Sequence, residues 1–555
     1  MRLSIRSLVL GAGAASMLAA CSESLVVTNP NAGDITRALA RPGDVENLLG
    51  GGYNSIVQST TGALEGVNTS LQVMALENYT GLANFNMGPR AGLPRTPLLN
   101  FPNNPGTAST NTDFFGLSRA ARSVTIAYDR LTAPGFSLGS PAQDLRARAY
   151  GRFVLGVALG NLAMSYDSAA VVVPGGDPVP PLSAYDSVGR AAIAQLDLAL
   201  ADASNAATAA AYPLPAPWLN LTATVDQALF VRIIRSYRAR IRAEIGRNPA
   251  ERGAANWALI LADAQNGIQS DLTINLNGSA GWTQGWVGQH YVGTNWHVMT
   301  LFVVGMADTT GAAYTTWLNQ PLLNRTPFLI RTPDRRWPAG DTRAAQNVTS
   351  NGGTSGTIPS TGVYFRNRVS QDDGAAADGT WGFSWYDHAR FQSFQNASRI
   401  GPFPHMTIVE MNGLIAEASI RAGDFATAAT AIDRSRVSRG GLPALSGAGI
   451  TSLTQPVPGG NACVPRIPVR AASGTYTTTC GNIWEAMKWE KRMEMAYVSY
   501  GAWFFDMRGW GDLPEGTPIN FPVPWVEQDV RLGKPSNVGG AGLPGGAARG
   551  TYGFP

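Results

Sequence analysis

The chain has 555 residues, which is enough for large buried cores and for two to four domains unless it is a single helical array. Hydrophobic residues make up 44% of it and charged residues only 14%, below the roughly 25% of an average domain. The formal net charge of +4 includes Arg2 and Arg6 of a leader, so it falls by two, to +2, without them, which excludes a strongly basic nucleic-acid-binding protein.

The first 20 residues are predicted to be a lipoprotein signal peptide. Arg2 and Arg6 precede the apolar run LVLGAGAASMLAA, which at 13 residues is too short to span a bilayer, and Cys21 follows it directly. Cys21 is therefore the predicted lipid anchor, which would tether the chain to a membrane surface without crossing it. The alternative is a coincidental cysteine after an ordinary secretory signal.

Helical periodicity dominates the chain after the leader, and no stretch gives a convincing strand pattern. Residues 42–58 begin with Pro42 and place Val45, Leu49 and Ile56 on one helical face. Similar patterns recur at 116–131, 141–169, 186–203, 225–246, 251–268 and 406–421. The fold class predicted is mainly α, a tetratricopeptide-like scaffold of helix pairs with long irregular loops and little β.

Two segments rich in aromatic and polar residues are candidate ligand-binding loops, ENYTGLANFNMGPR (77–90) and GWTQGWVGQHYVGTNWH (281–297). Aromatic faces stack on sugar rings, and amide side chains bond to hydroxyl groups. The candidate ligand contacts are Tyr79, Asn84, Phe85 and Arg90 of the first segment and Trp282, Trp286, Tyr291 and Trp296 of the second. Alternatively, the rings of 281–297 pin that loop to the scaffold or meet a partner protein.

Signals for catalysis or metal binding are weak. GFSLG (135–139) matches G-x-S-x-G, but a helical pattern precedes it, and Ser140 and Pro141 suit the start of the next helix, so a loop is predicted rather than a nucleophile elbow. The four histidines lack the spacing of a metal site and are predicted to be packed or surface residues. DDGAAADG (372–379) lacks the ligand spacing of an EF-hand, although calcium could bind there. No cofactor is predicted.

The helical hairpin and the two remaining cysteines lie in the C-terminal third. Gly423 suits the left-handed end of the helix at 406–421, and Asp424 can cap a second helix, which predicts a hairpin of tetratricopeptide type. In an exported protein Cys463 and Cys480 can pair, closing a loop of about 18 residues worth ~3 kcal/mol. The alternative is two isolated buried thiols.

The densest stretch is WEKRMEMAYVSYGAWFFDMRGWG (489–511), predicted to begin as a helix that buries the face from Trp489 to Tyr500. Glu490 and Glu494 lie on a neighbouring edge, where Lys491 or Arg508 could answer their charge. A glycosidase needs two carboxylates facing each other across a sugar, which adjacent turns of one helix seldom provide. A structural clip is therefore favoured over an active site.

The residues predicted to form structural ion pairs in this clip are Glu490, Glu494, Asp506 and Arg508. A further structural pair is predicted between Asp334 and Arg335 in TPDRRWPAG (332–340).

Several of these stretches resemble the SusD/RagB family of lipid-anchored nutrient-binding proteins. The similar stretches are LVVTNPN (25–31), LLGGGYNSI (48–56), EMNGLIAEASIRAGDFATAATAIDRSRVSRGGLPAL (410–445), WEKRMEMAYVSYGAWFFDMRGWGDL (489–513) and FPVPWVEQDV (521–530). The chain departs from the family pattern at 500–503, where Tyr-Gly-Ala-Trp replaces the usual Glu-Gly-x-Arg and removes one family ion pair.

The resemblance implies one compact unit built from four parts. These are the signal peptide (1–20), an N-terminal helical region (21–270), a loop-rich aromatic region facing the ligand (271–403), and a C-terminal region with the hairpin, the cysteine loop and the clip (404–555).

The resemblance also implies a function, that of a surface-exposed outer-membrane lipoprotein that is not an enzyme. Such a protein captures a glycan or oligosaccharide and delivers it to a SusC-like TonB-dependent transporter. It contacts the membrane through its lipid anchor only and binds no nucleic acid. The alternatives are a surface glycoside hydrolase, a non-binding scaffold or lid of the transporter, and capture of another nutrient such as a peptide.

Overall fold

The structure, a computed structural model, describes residues 35–63, 65–104, 106–278, 281–283, 297–347, 362–368 and 384–555. Its helices, in chain order, are α1 Ile35–Ala38, α2 Pro42–Ser59, α3 Val67–Met74, α4 Met87–Ala91, α5 Thr107–Leu131, α6 Pro141–Ser165, α7 Tyr185–Ser204, α8 Ala216–Leu219, α9 Gln227–Glu244, α10 Pro249–Gly253, α11 Trp257–Gln265, α12 Leu301–Val304, α13 Ala313–Asn319, α14 Arg343–Gln346, α15 Gln392–Asn396, α16 Ile408–Arg421, α17 Phe425–Arg436, α18 Ile483–Met495, α19 Ala502–Trp510 and α20 Trp525–Val530. None of the helices in these ranges combines the length and apolarity needed to cross a membrane.

The strands of the described residues are short and form separate two-stranded antiparallel sheets. They are β1 Ser168–Ala170 with β2 Leu182–Ala184, β3 Leu272–Leu276 with β6 Gly401–Met406, β4 Phe365–Asn367 with β5 Tyr386–His388, and β7 Arg466–Arg470 with β8 Tyr476–Cys480. The prediction of a mainly helical fold with little β structure is therefore confirmed.

Neighbouring helices pack in pairs, with α6 against α5 and α7, and α16 against α17. Small residues allow the closest approaches. A Cβ added at Gly156 of α6 would lie 2.6 Å from Leu196 Cγ of α7, and one at Gly160 would lie 2.3 Å from Ile241 Cδ1 of α9. Any larger side chain at these two positions would push the helices apart.

The predicted hairpin is confirmed, with α16 and α17 joined through Gly423 at φ +78°. The Asp424 carboxylate accepts the Thr427 N–H at 3.0 Å and so caps α17. The helix predicted over 251–268 is instead two helices, α10 and α11. The Asn256 side chain accepts the Leu259 N–H at 3.1 Å and so caps the N-terminus of α11. This cap starts a new helix at Trp257.

The clip departs from prediction, because its helix does not continue to Tyr500. Helix α18 ends at Met495, and Tyr497 and Ser499 adopt φ values of +60° and +68° before Gly501 starts α19. Side chains distant in sequence hold this bend, since the Glu77 carboxyl group accepts the Tyr497 N–H at 2.6 Å and the side-chain amide oxygen of Asn68 accepts the Gly501 N–H at 2.9 Å.

Cys463 and Cys480 are joined in a disulfide, with Cα atoms 5.8 Å apart. The bond closes the segment that contains the β7–β8 hairpin. Tyr476 of β8 also donates its hydroxyl hydrogen to the Gly553 carbonyl at 2.5 Å, so this hairpin holds the C-terminal end of the chain. The largest buried apolar cluster runs from Leu39 to Phe554 and so draws on both ends of the described chain.

Candidate ligand-binding face

The two segments predicted to bind ligand meet in the structure. Tyr79 and Val298 form an antiparallel bridge with N···O distances of 2.7 and 3.0 Å. Beside it, His297 Nδ1 lies 2.8 Å from Asn78 Oδ1, and Thr300 Oγ1 donates to the Leu76 carbonyl at 3.1 Å. The C-terminal end of segment 281–297 is thus fixed against segment 77–90.

Four described residues border the ranges 284–296, 348–361 and 369–383, namely His297, Asn347, Arg368 and Ser384. We call them the anchor residues. Arg368 donates to the His297 carbonyl at 3.4 Å, and the Ser384 hydroxyl donates to the Met299 carbonyl. Asn347 donates to the Asn367 carbonyl at 2.6 Å. These bonds connect the described residues that border three ranges lying outside the described residues.

The predicted contacts in the described residues divide into buried and accessible side chains. Tyr79 and Trp282 are each 4% exposed and Arg90 is 6% exposed, so all three are packed into the protein. Arg90 donates to the Thr96 and Pro97 carbonyls at 3.3 Å. Burial favours the alternative of a packing role for Trp282. Asn84 is exposed and Phe85 is partly exposed, which leaves these two side chains accessible to a ligand.

Phe85 and Asn86 stand in an uncommon backbone conformation, with φ values of +52° and +60°. Left-handed conformations cost non-glycine residues about 1–3 kcal/mol and cluster at binding sites. The Ser109 hydroxyl donates to the Phe85 carbonyl at 3.2 Å and helps to hold the turn. This turn belongs to segment 77–90, which is bridged to Val298 through Tyr79.

Several predicted positions lie outside the described residues. They are Cys21, Trp286, Tyr291, Trp296 and the acidic stretch 372–379. Their roles as lipid anchor, ligand contacts and calcium ligands stay predictions. Among the residues that are described, no group of three or more His, Cys, Asp or Glu side chains is arranged to hold a metal ion.

The clip carboxylates converge on one arginine. Arg336 donates five hydrogen bonds of 2.7 to 3.1 Å, shared among the carboxylates of Asp334, Glu490 and Glu494. Its side chain is 0% exposed, and those of its three partners are at most 3% exposed. The arrangement uses every N–H of the guanidinium and leaves the glutamates enclosed, as a clip requires.

Comparison with known proteins supports a specific fold. No protein-family profile and no curated protein matches the chain. Solved structures do match. A SusD superfamily protein from Bacteroides vulgatus aligns over 86% of this chain and 89% of its own, with 14% identity and a TM-score of 0.52. A SusD homolog from Parabacteroides distasonis covers 88% and 93% of the two chains, with 12% identity and a TM-score of 0.52. A SusD-like protein from Bacteroides fragilis covers 86% and 87%, with 12% identity and a TM-score of 0.51.

This chain has the SusD-like fold. The structural alignments confirm, at the level of fold, the resemblance seen in the sequence. With sequence identities of 12 to 14%, they show the fold alone.

Within the SusD-like fold the charge partners of the clip differ from those predicted. Arg508 contacts no carboxylate in the described part of the chain, but donates to the carbonyls of Met164, Glu244 and Ile519 at 2.7 to 2.9 Å. It lies beyond the bend at 497–501, which turns α19 toward the C-terminal ends of α6 and α9. Arg508 therefore caps two helix ends instead of pairing with a carboxylate of the described residues.

Two further pairings also need correction. Lys491 pairs with Asp506 at 2.6 Å instead of with Glu494, because its side chain leaves α18 toward α19. Asp334 pairs with Arg336, not Arg335, and also accepts the Trp489 indole N–H at 2.9 Å. Glu490, Glu494 and Asp506 do form structural ion pairs, as predicted. No local sequence signal links Arg336 to α18, since 154 residues separate it from Glu490.

Three buried carboxyl groups of the SusD-like scaffold have strongly perturbed pKa values. Burial raises the pKa of Glu77 and of Glu244 to about 8, with Asp506 adding to the effect on Glu244. Burial likewise raises the pKa of Asp113 to about 7. Perturbed carboxyls often mark catalytic sites, but these three are at most 3% exposed, so a polymeric substrate has no access to them.

Proposed function

We propose that this chain is a surface-anchored nutrient-binding protein that captures a glycan or oligosaccharide and passes it to a SusC-like TonB-dependent transporter. The observation that carries the proposal is the SusD-like fold, which aligns over 86% of the chain at a TM-score of 0.52. The proposal places the acylated Cys21 in the outer membrane and the ligand-binding face toward the nutrient and the transporter. Energy for import would come from the transporter, since no covalent chemistry is proposed for this chain.

The proposed ligand contacts combine stacking with hydrogen bonding. Asn84 is exposed and Phe85 partly exposed in segment 77–90, and Trp286, Tyr291 and Trp296 belong to segment 281–297, whose C-terminal end is fixed against segment 77–90. A sugar would stack its C–H face on the rings and bond through its hydroxyls to amide groups. Tyr79, Arg90 and Trp282 would support this surface from beneath.

The hydrolase alternative is disfavoured by the state of the clip carboxylates. Glycoside hydrolysis needs one carboxyl group that can give up a proton and a second that faces it across the sugar. Glu490 and Glu494 are bound to the same guanidinium and are shielded from solvent. Their position supports a stabilising role in a binding protein.

Calorimetry on the mature chain, residues 21–555, against a panel of plant and host polysaccharides tests the binding step. Phe85→Ala and Trp286→Ala should each weaken binding of the best polysaccharide by about tenfold, the equivalent of about 1.4 kcal/mol. Phe425→Ala on α17 is the matched control, since Phe425 is also a partly buried aromatic residue but belongs to the hairpin. Equal losses in all three variants would refute the placement of the site, and release of reducing sugar by the unmodified chain would refute the binding-only function.

The anchor and the partner are tested separately in cells. Cys21→Ser should move the protein from the membrane fraction to the soluble fraction. Affinity purification of the unmodified lipoprotein from detergent extract should recover a TonB-dependent transporter. A soluble unmodified protein, or purification without any transporter, would contradict these parts of the proposal.

A further inference from the structure

A cavity separate from the candidate ligand-binding face lies on the helical scaffold, formed by α11, the C-terminal end of α16 and the N-terminal end of α18. Its volume is about 790 Å³, and its walls include Trp257, Leu261, Arg421, Leu453, Asn482 and Trp484. None of the anchor residues lines it, nor do Asn84 and Phe85. Cavities of roughly 300–1,000 Å³ are the usual size of small-ligand sites.

Two indoles and one guanidinium define the floor of this cavity. The guanidinium carbon of Arg421 lies 4.6 Å from the ring centroid of Trp257 and 5.1 Å from that of Trp484. Both tryptophans are only partly buried, so each leaves part of its indole accessible. An accessible aromatic surface is costly in water and suits the C–H face of a sugar.

Each of these groups is held in place from behind. Trp257 donates its indole N–H to the Arg252 carbonyl at 2.9 Å, and Trp484 packs edge-on against Trp510 with centroids 6.5 Å apart. Arg421 donates from Nε and Nη2 to the Glu417 carboxylate at 3.2 and 2.9 Å. Its other terminal nitrogen, Nη1, has no hydrogen-bond partner among the described residues, which leaves donors for a ligand.

The ion-pair cluster that includes Arg421 has one more cation than carboxylates. The cluster contains three cations and two carboxylates, namely Arg252, Arg421 and Lys491 with Glu417 and Asp506. Although burial alone would raise the pKa of Glu417, Arg252 and Arg421 lower it to about 2, so Glu417 stays ionised. The neighbouring Glu244, with its pKa raised to about 8 by burial and Asp506, is mostly neutral at pH 7 and does not cancel the excess.

We propose that this cavity is a second binding site, specific for an acidic sugar, whose carboxylate pairs with Arg421 and whose ring packs on the indoles of Trp257 and Trp484. Guanidinium groups bind carboxylates strongly because charge assists the hydrogen bonds. The inference rests on the proposed function in taking the cargo to be a glycan. It adds a preference for uronates at a site away from the ligand-binding face.

Calorimetry with a galacturonate trisaccharide and a neutral galactose trisaccharide tests the preference on the mature chain. The acidic trisaccharide should bind about tenfold more tightly. Arg421→Gln should remove that advantage and change binding of the neutral trisaccharide less than about twofold. Trp484→Ala should weaken binding of both sugars. Equal binding of the two sugars by the unmodified chain, or an unchanged preference in Arg421→Gln, would overturn the inference.

Arg531→Gln is the matched control for Arg421→Gln. Both arginines pair with a glutamate four residues earlier, and their side chains are 24% and 25% exposed, respectively. Arg531 lies outside the cavity, so its replacement should leave the sugar preference unchanged. The same loss in both variants would also overturn the inference.

A measurement that needs no change at Arg421 keeps the test valid if that variant misfolds. In the ¹⁵N-indole-labelled protein, the galacturonate trisaccharide should shift the Trp484 indole N–H resonance saturably, with the signal assigned from Trp484→Phe. An unmoved resonance would refute the site, and an equal shift with triglutamate would show that the ligand is an acidic peptide rather than a sugar.

The variants also separate this inference from the proposed function. If Phe85→Ala abolishes polysaccharide binding and Arg421→Gln changes nothing, the proposed function stands and the second site fails. If Arg421→Gln removes uronate binding but no polysaccharide binds at the face that carries Phe85, the second site stands and the binding role proposed for the face with Phe85 fails.

Discussion

Replacing Arg336 with methionine should destabilise the protein strongly. The change removes five hydrogen bonds and leaves the carboxylates of Asp334, Glu490 and Glu494 buried without their shared cation. Breaking a buried ion pair by removing one partner costs about 3–5 kcal/mol, because the remaining charge is uncompensated. Glu494 keeps Arg439 as a partner, so the lower part of this range is expected.

Urea denaturation at pH 7.5, followed by circular dichroism, measures the loss of unfolding free energy. Arg331→Met is the control, since the Arg331–Asp341 pair is 49% and 81% exposed and an exposed pair is worth less than about 1 kcal/mol. A loss below about 1 kcal/mol for Arg336→Met would refute the reasoning, because it would mean that the carboxylates need no cation.

The pH dependence gives an independent check on the same residue. Burial raises the pKa of Glu490, and Arg336 opposes that rise. Without Arg336 the pKa of Glu490 rises further above its unfolded value, so the folded variant gains stability by protonation as the pH falls. The difference in stability between the unmodified protein and Arg336→Met should therefore be smaller at pH 5 than at pH 8. A constant or larger difference at pH 5 would contradict the assignment of Glu490 as the destabilised charge.

Three further predictions follow from other parts of the fold. Replacing Cys463 and Cys480 with serine should lower stability by about 3 kcal/mol, and a reducing agent should then have no further effect on thermal unfolding. Glu77 has a pKa raised to about 8 by burial, so its contribution to stability is complete below its ordinary pKa near 4.5 and is lost as the pH rises to 8. Glu77→Gln should flatten the fall in stability between pH 5 and 8, and an unchanged slope would show that Glu77 is not buried as described. Ser140 accepts the Gln143 N–H at the start of α6, so Ser140→Ala should cost about 1 kcal/mol of unfolding free energy. Ser137→Ala, in the loop before it, should leave stability within about 0.5 kcal/mol, and a larger effect would argue against a plain loop at 135–139.

Local signals predicted the helical scaffold well. The Pro42 start and apolar spacing of 42–58 correspond to α2 at Pro42–Ser59, and Gly423 with Asp424 correctly marked the turn between α16 and α17. Each of these features depends on residues within one or two helical turns. The SusD-like fold could be recognised because such local features follow one another in a characteristic order.

Long-range contacts could not be predicted in the same way. The end of α18 at Met495 depends on Glu77 and Asn68, which accept backbone N–H groups more than 400 residues away in sequence. The pairing of β3 with β6 joins residues on either side of the candidate loop 281–297. For Trp282 the sequence left ligand contact and packing on the scaffold as alternatives, and its burial, which favours packing, depends on elements that the local sequence does not show.

The anchor residues have a consequence for the diversification of this protein. His297 is bonded to Asn78 and Ser384 to Met299, while Asn347 is bonded to Asn367 and Arg368 to His297. Substitutions and length changes in 284–296, 348–361 and 369–383 therefore need not disturb the packed helices. Segments of different sequence could therefore be grafted between the same bordering residues while the helical scaffold is kept.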